Sequence, residues 1–269
     1  MLGVFLAEGL ACVIFGIASN RLKLVSSSGS VGLIIITSGA ILGFGVPGFA
    51  YLIGIFVMSS AVTRYSYSAK SHLGAAEAHG GARGLWKIIG GAGVAGMVAW
   101  GAYLHLIPSS IGELGFAASA AATNADTWAS ELGVLSRDPP HLITPPWNEV
   151  QRGVSGGVSG IGEVAALMGA LSASLLVVIL GLQLTVLGIT SCFAGAIAAE
   201  HLDSVLGASL QAIYRCPVCN TISERRRHHE HGKGILIRGI PFLSNEGVNL
   251  FSCFFAMFAS TAIFVFFQT

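Results

Sequence analysis

The chain has 269 residues, of which 53% are hydrophobic and only 10% are charged, and its mean hydropathy is +0.74. A soluble domain carries about a quarter charged residues, so this composition excludes an ordinary soluble protein. The formal net charge is +1, which gives no bulk field to attract nucleic acid, and none is expected as a partner. The sequence therefore predicts an all-α helical bundle in the lipid bilayer, with a single integral membrane domain over residues 1–269.

Eight apolar runs are candidates for membrane-spanning helices, which need about 20 residues, with a range of roughly 17 to 25. The first run lacks a basic start and a small-residue cleavage site, so we expect a retained helix and not a signal peptide. The second and third runs are short and share a turn at Pro47-Gly48. The fifth is alanine-rich and ends in a polar cluster. The predicted spans are Leu2–Ser19, Gly29–Val46, Gly48–Thr63, Ile88–Ile107, Gly112–Leu132, Ile161–Leu182, Thr185–Gln211 and Glu246–Phe267.

The connections between these runs differ in charge. Three are very short and carry no Lys or Arg, whereas all 14 basic residues fall in the other four. With eight helices, those four loops lie on one side of the membrane, and the positive-inside rule makes that side cytoplasmic. We therefore expect a protein of the cell membrane with both termini on the non-cytoplasmic side. The four loops are Asn20–Ser28, Arg64–Lys87, Gly133–Gly160 and Ala212–Asn245.

The stretch Ala121–Gly133 begins as an apolar helix and ends in polar residues. Carboxylates at the edge of a bilayer are costly and usually mark a functional site. Asp126 and Glu131 suit the handling of Mg²⁺, which takes hard oxygen ligands from one or two carboxylates plus substrate phosphates. Asn124 stands beside them as a candidate phosphate-binding residue. Hydrogen bonding between helices is the alternative interpretation of this cluster.

Two further polar groups stand at the predicted cytoplasmic ends of the seventh and eighth runs. Glu200 and Asp203 share one helix face. Asp203 is the better candidate for a metal ligand, and Glu200 is a candidate structural partner for His201 or a loop arginine. At the start of the eighth run Asn245 is expected to be the N-cap. Asn249, one turn further inside, is expected to face the same cytoplasmic mouth and to contact phosphate.

The segment Gly153–Gly160 directly precedes the sixth run and is rich in glycine and serine. Free backbone N–H groups at a helix N-terminus attract anions, so this segment predicts a phosphate site; a flexible linker is the alternative. The pattern Gly-x-x-x-x-Gly-Lys-Ser/Thr is absent, which excludes a Walker-type P-loop. The candidate phosphate-binding residues here are Arg152, Ser155, Gly156, Gly157 and Ser159.

The loop Arg64–Lys87 contributes Lys70 and Arg83 as candidates to neutralise phosphate charge. The planar fork of arginine suits phosphate geometry. Alternatively, the basic residues of this loop serve only to set the orientation of the protein in the membrane.

In residues 212–245, Cys-x₂-Cys-x₈-His-x₂-His spacing resembles a small structural zinc loop, with free thiols as the alternative. A disulfide is not expected on a reducing cytoplasmic side. The candidate zinc ligands are Cys216, Cys219, His228 and His231.

Four of these motifs occur in the order of one membrane family. Ala125–Gly133, Gly153–Ser159, Asp203–Ala208 and Asn249 resemble the family that includes the phytyl-phosphate kinase of vitamin E synthesis and the animal transmembrane protein 19. The resemblance covers nearly the whole chain, although Val154 stands where the family usually has threonine. The Cys-Pro-x-Cys loop is similar to that of the archaeal branch.

The resemblance implies transfer of a phosphoryl group from a nucleoside triphosphate to an isoprenyl monophosphate of the phytyl or geranylgeranyl type, giving the diphosphate. A looser similarity to phytol and dolichol kinases favours CTP as the donor. Asp126, Glu131 and Asp203 are then the expected catalytic residues, with Mg²⁺ on the two aspartates. The chemistry agrees, because the second pKa of a phosphate monoester is near 6 and the attacking oxygen is mostly ionised at pH 7. Such a transfer needs mainly positioning and charge neutralisation.

Other functions fit parts of the pattern. An isoprenol kinase would phosphorylate the alcohol, with Asp126 or Glu131 as its base. A transporter or flippase of lipid phosphates would usually bind its substrate near the membrane midplane, whereas the polar residues here gather at one interface. The third alternative function is that of an inactive scaffold protein that binds lipid phosphates. The sequence leaves open a homodimer, the length of the isoprenoid tail and the choice between CTP and ATP.

Overall fold

The computed structural model describes residues 2–145, 148–220, 222–224, 226–229 and 232–268. It is an all-α bundle, as the composition predicts. By length and composition, five of the described helices are apolar enough to cross a membrane, namely α1, α2, α4, α6 and α8. The helices are α1 (Leu2–Arg21), α2 (Ser27–Arg64), α3 (Tyr67–His72), α4 (Leu85–Tyr103), α5 (Ser109–Gly133), α6 (Gly160–Leu180), α7 (Val186–Ser209) and α8 (Asn245–Gln268), with a 3₁₀ turn at Ala78–Gly81.

Helix α2 contains the second and third predicted spans as an antiparallel hairpin. Its 38 residues are interrupted at Gly45, where φ is 66° and ψ is −162°, a conformation almost reserved for glycine. The Arg64 side chain, at the end of the second half, donates to the carbonyl of Leu22 at 2.8 Å, close to where the first half begins. The predicted turn at Pro47-Gly48 is therefore slightly late. Pro47 lies in the first turn of the second half, where a helix has no use for its N–H.

Helix α5 lies at the centre of the bundle, in contact with α2, α4, α6, α7 and α8. Phe116, Ala121 and Asn124 are fully buried. Small residues allow this close packing, since a Cβ added to Gly169 of α6 would lie 3.0 Å from the Cα of Ala125. The neighbouring helices shield α5 from lipid, so it carries polar residues that a lipid-facing helix would not tolerate.

The polar loops gather at one side of the bundle, which we call the loop face. The backbone of Arg83 pairs with the segment before α2, donating to Leu24 O at 2.9 Å and accepting from Ser26 N at 3.0 Å. Farther along, the Arg238 side chain donates to Ser155 O at 2.9 Å and to Gly207 O at 3.0 Å. These bonds join the first long loop to the second and the third to the fourth. Gly153 lies against Ala75, since a Cβ added to Gly153 would be 2.9 Å from the Cβ of Ala75, so the two pairs form one connected layer.

Two of the loops contain short β-strands that the sequence did not predict. They are too short for an alternating pattern to be visible. In the loop before α6, β1 (His141–Leu142) pairs antiparallel with β2 (Gly157–Val158). Between α7 and α8, a three-stranded sheet has the order β4-β3-β7, and β5 pairs with β6. Their bounds are β3 (Ile213–Arg215), β4 (Ile222–Ser223), β5 (Arg227–His229), β6 (Gly232–Lys233) and β7 (Ile235–Arg238).

Hydroxyl side chains cap the helices next to the polar loops. The Ser159 hydroxyl accepts the Gly162 N–H at 3.2 Å at the start of α6. At α8 the Ser244 hydroxyl accepts the Gly247 N–H at 3.4 Å. The predicted N-cap Asn245 is therefore wrong by one position, because it is already the first helical residue.

A buried ion pair fastens α3 to the end of α5. The Lys70 Nζ atom lies 2.6 Å from Glu131 Oε2 and also donates to the carbonyls of Val62 and Thr63, at 3.0 and 2.8 Å. Lys70 is fully buried and Glu131 is 9% exposed. All three ammonium protons are thus used within the protein. Removal of one partner from such a pair leaves an uncompensated buried charge.

We expect Lys70→Met to lower the free energy of unfolding by about 3–5 kcal/mol, because the Glu131 carboxylate stays buried without its cation. Denaturant titration in detergent micelles measures this change. Lys233→Met, at an exposed position, is the matched control and should differ from wild type by no more than about 0.5 kcal/mol. A Lys70→Met variant as stable as this control would contradict the structural role of the pair.

Candidate active site

Three helices line a small polar cavity near the loop face, with about 210 Å³ of empty space, part of it open to solvent. Helices α5, α7 and α8 each supply two polar residues three positions apart, a spacing that puts both on one helix face. We call it the carboxylate cavity, and its polar lining residues are Thr123, Asp126, Glu200, Asp203, Asn249 and Ser252. The predicted residues Asp126, Asp203 and Asn249 thus come together, although they are distant in sequence.

Several oxygen atoms of the carboxylate cavity are buried and have no hydrogen-bond partner of good geometry among the described residues. They are Glu200 Oε2, Asp203 Oδ2, Asn249 Oδ1 and Ser252 Oγ. The amide nitrogen of Asn249 donates to Asp126 Oδ2 at 3.2 Å, which orients the aspartate. An unsatisfied buried polar group costs about 1–3 kcal/mol, so a cluster of them calls for a ligand. Carboxylate and amide oxygens are hard ligands, and this set fits Mg²⁺.

Glu200 connects the carboxylate cavity to the outside of the bundle. Its Oε2 atom lies 3.0 Å from Nδ1 of His201, which agrees with the partnership suggested by the sequence. The other ring nitrogen of His201 lies 3.2 Å from Oε2 of Glu163, in the first turn of α6. One ligand atom from each of the three residues falls within 4.8 Å of the others. Glu200 therefore belongs both to the cavity and to this outer cluster.

A second, larger cavity adjoins the first and has about 640 Å³ of empty space, part of it open to solvent. Thr123 and Asn249 line both cavities. Arg83, Lys87 and Thr127 lie at its loop-face end. We call it the apolar chamber, because the rest of its wall comes mainly from apolar side chains of the two halves of α2, α4 and α5, namely Leu33, Ile36, Leu52, Ile55, Phe56, Ile88, Ala92 and Ala120.

Arg83 is a buried cation at the mouth of the apolar chamber, with 8% of its surface exposed. Its guanidinium carbon lies 5.7 Å from the ring centroid of Phe56, and one nitrogen donates to Thr63 Oγ1 at 3.4 Å. No carboxylate of the described residues lies within ion-pair distance of it. Burial lowers the pKa of the guanidinium, while the more distant Glu77 and Glu131 raise it.

Lys87 is the second cation at this mouth, in the first turn of α4. Its ammonium forms an ion pair with Glu77, and its charge also acts on Asp126. Lys87, Glu200 and Ser252 line the cavities but are not among the predicted site residues. The shared helix face of Glu200 and Asp203 was visible in the sequence, but only a structural role was expected for Glu200. The three-residue spacing of Asn249 and Ser252 is the signal that could have identified Ser252.

The glycine-serine segment before α6 makes structural contacts. Its Gly156 backbone abuts Ala208 of α7 so closely that no Cβ would fit, and a Cβ on Gly207 would lie 3.0 Å from Gly156 N. The Ser155 hydroxyl donates to Glu224, Gly157 lies in β2, and Ser159 caps α6. The Ser155 and Ser159 hydroxyls and the Gly157 N–H thus have partners within the protein. The phosphate cradle of Ser155, Gly156, Gly157 and Ser159 stays a prediction.

Four other predicted site residues also have structural partners. Asn124 accepts from Ser59 at 2.9 Å and donates to Gly169 O at 2.8 Å. Arg152 donates to Ser136 O at 2.8 Å, within its own loop. Lys70 and Glu131 neutralise each other, so Lys70 has no proton left for a phosphate. In α5, Glu131 is five residues after Asp126, about 140° around the helix, and therefore faces away from the cavity.

The predicted zinc loop lies partly outside the described residues, which include neither His231 nor the side chain of His228. Cys216 is buried, and its carbonyl accepts the Asn220 N–H at 2.9 Å. Cys219 is exposed in the same turn. The zinc site stays a prediction.

Comparison with known proteins supports the family suggested by the motifs. Protein PGR of Arabidopsis thaliana is 30% identical over 91% of this chain and 92% of its own length. Protein VTE6, chloroplastic, of the same plant is 28% identical over 70% of this chain and 56% of its own length. An uncharacterized membrane protein of Synechocystis is 33% identical over 62% of this chain and 64% of its own.

No solved structure matches the chain. Residues 10–257 match the family described as integral membrane protein DUF92, which is nearly the whole chain. The membrane family indicated by the motifs is thereby confirmed, and this protein belongs to the integral membrane family DUF92.

Proposed function

We propose that this protein is a membrane kinase that transfers the γ-phosphoryl group of a nucleoside triphosphate to an isoprenyl monophosphate. The observation that carries this proposal is the carboxylate cavity, where polar residues of three helices converge and where oxygens on α7 and α8 have no partner. The adjoining chamber places Arg83 and Lys87 at its mouth. The resemblance of the motifs to the phytyl-phosphate kinase family, and the relationship to VTE6, support the acceptor class. CTP is the favoured donor.

Asp126 and Asp203 would hold Mg²⁺, with the amide oxygen of Asn249 as a further candidate ligand. Bound Mg²⁺ would neutralise charge on the triphosphate as the transfer proceeds. The Asn249 amide orients Asp126 through its 3.2 Å hydrogen bond. Glu200 faces the same cavity, and its Oε2 atom lies 3.0 Å from Nδ1 of His201. These residues position and neutralise, which is the main requirement of phosphoryl transfer.

In the proposed reaction an oxygen of the acceptor monophosphate attacks the γ-phosphorus of the donor. The bond from that phosphorus to the bridging oxygen breaks, the nucleoside diphosphate leaves, and the acceptor becomes a diphosphate. The attacking phosphate is mostly dianionic at pH 7, so no side chain has to remove a proton. Lys87 and Arg83 would offset the repulsion between the two polyanions.

The orientation of the protein belongs to this proposal. The loop face carries the basic loops, and the positive-inside rule supports a cytoplasmic position for it. Both termini would then face the opposite side, and the donor nucleotide would reach the carboxylate cavity from the cytoplasm. The carboxylates there would be accessible to a soluble nucleotide while the acceptor stays in the membrane.

A phosphoryl-transfer assay in detergent tests the reaction class. Geranylgeranyl monophosphate and geranylgeraniol are supplied separately, each with Mg²⁺ and either CTP or ATP. We expect the diphosphate from the monophosphate, no product from the alcohol and a higher rate with CTP. Product from the alcohol would indicate an isoprenol kinase. Absence of product from either acceptor, with folded protein, would reject the kinase and favour a transporter.

Asp126→Asn and Asp203→Asn should each lower the turnover number by about 10²–10³-fold, because each removes a charge that would hold the metal and the transferring phosphate. The same assay measures this effect, and the thermal transition in detergent reports on the fold. Asp138→Asn, at an exposed loop carboxylate, is the matched control and should keep wild-type activity. Wild-type activity in Asp126→Asn would remove Asp126 from the proposed metal site.

A further inference from the structure

Below the mouth of the apolar chamber, the wall has few free groups that could form a hydrogen bond with a polar ligand. Ser59 lines it, but its hydroxyl is committed to Asn124 Oδ1 at 2.9 Å. Thr123 lines it as well, and its hydroxyl donates to the carbonyl of Gly91. Asn249 lies at the border with the carboxylate cavity, and the remaining lining side chains below the mouth are hydrocarbon. A ligand that extends into the chamber must therefore be apolar, because a buried polar group without a partner is costly.

The dimensions of the apolar chamber suit one hydrocarbon chain. Its empty space of about 640 Å³ includes the part that is open to solvent, so the enclosed part is smaller and leaves room for one chain. Along α5 it runs from Thr127 to Ala120, about 10 Å at the helical rise. One turn beyond Ala120, the ring of Phe116 packs against Phe44 and Tyr51, with centroids 4.8 and 5.8 Å away. This aromatic cluster marks the inner limit of the chamber.

The mouth of the chamber suits an anion. Arg83 is more than nine-tenths buried and has no carboxylate of the described residues within ion-pair distance. Its backbone is fixed by pairing with the segment before α2, so the guanidinium is presented from a rigid support. A guanidinium with unused donors binds phosphate in preference to water because its fork matches the phosphate oxygens.

We propose that the apolar chamber holds the first part of the isoprenoid tail of the acceptor while Arg83 binds its phosphate. This inference rests on the proposed function, and it assigns the tail to the space between the two halves of α2, α4 and α5. Asn249 and Thr123, which line both cavities, then mark the place where the acceptor phosphate meets the donor phosphate. The chamber thus recognises a phosphate with a single hydrocarbon chain.

The test fills the chamber without changing any charged group. Ala92 lines the chamber, whereas Met97, on the same helix, is 50% exposed on the outside of the bundle. We expect Ala92→Phe to raise KM for geranylgeranyl monophosphate about tenfold or more, because the added ring occupies the space of the tail. KM for isopentenyl monophosphate, with one isoprene unit, should rise less. Met97→Phe should leave both values unchanged.

A binding measurement makes the result independent of turnover. Radiolabelled geranylgeranyl monophosphate is bound to the full-length protein in detergent without nucleotide, with phosphatidic acid or inorganic phosphate as competitor. We expect Ala92→Phe to weaken binding about tenfold, and neither competitor to displace the label at equal concentration. Displacement by phosphatidic acid would assign the chamber to a two-chain membrane lipid. Displacement by inorganic phosphate would mean that the tail contributes nothing.

The outcomes separate this inference from the proposed function. Wild-type turnover combined with equal KM values in Ala92→Phe and Met97→Phe would overturn the chamber and leave the kinase intact. Tail-dependent binding without diphosphate formation would reject the kinase and retain the chamber. If Ala92→Phe fails to fold, Leu52→Ala enlarges the chamber and should lower the discrimination between short and long acceptors. Unchanged discrimination in Leu52→Ala would also overturn the inference.

Discussion

The shielding of α5 from lipid is the constraint on which the rest of the structure depends. A helix that carries Asn124, Asp126 and Glu131 cannot face hydrocarbon at acceptable cost, so other helices must surround it. The bundle meets this need with small residues, as at Gly169, which let α6 approach closely. Asn124 and Glu131 are then satisfied by protein partners. Asp126 faces the carboxylate cavity, where unpartnered oxygens make ligand binding favourable.

Much of the architecture could be predicted from composition and loop charge. The eight apolar runs and the common side of the long loops follow from helix length and from the distribution of arginine and lysine. The turn in α2 was predicted slightly too late, at Pro47-Gly48, because proline is an obvious turn signal in a sequence. The actual turn is at Gly45 and depends on the backbone freedom of glycine. The strands between α7 and α8 could not be predicted, since two to four residues show no periodicity.

The candidate site could be predicted only in part, for a physical reason. Asp126, Asp203 and Asn249 can be identified from the sequence, because polar side chains of this kind are costly in a membrane. In the structure they line one cavity. Residue type does not tell which polar groups already have partners. Lys70 and Ser159 have the chemistry of a phosphate site, but an ion pair and a helix cap occupy them. The sequence alone does not distinguish Arg83 from them. The structure does, because Arg83 is buried and no carboxylate of the described residues lies within ion-pair distance of it.

The arrangement of the two cavities bears on the choice between a kinase and a transporter. A transporter exposes one site alternately to both sides of the membrane, usually near its midplane. Here the carboxylate cavity and the mouth of the apolar chamber both lie near the loop face, and they share Thr123 and Asn249. Phe116, Phe44 and Tyr51 pack beyond the inner end of the chamber. A substrate that enters from the membrane and another that enters from water would therefore meet at one interface, which is what a group transfer between a lipid and a nucleotide requires.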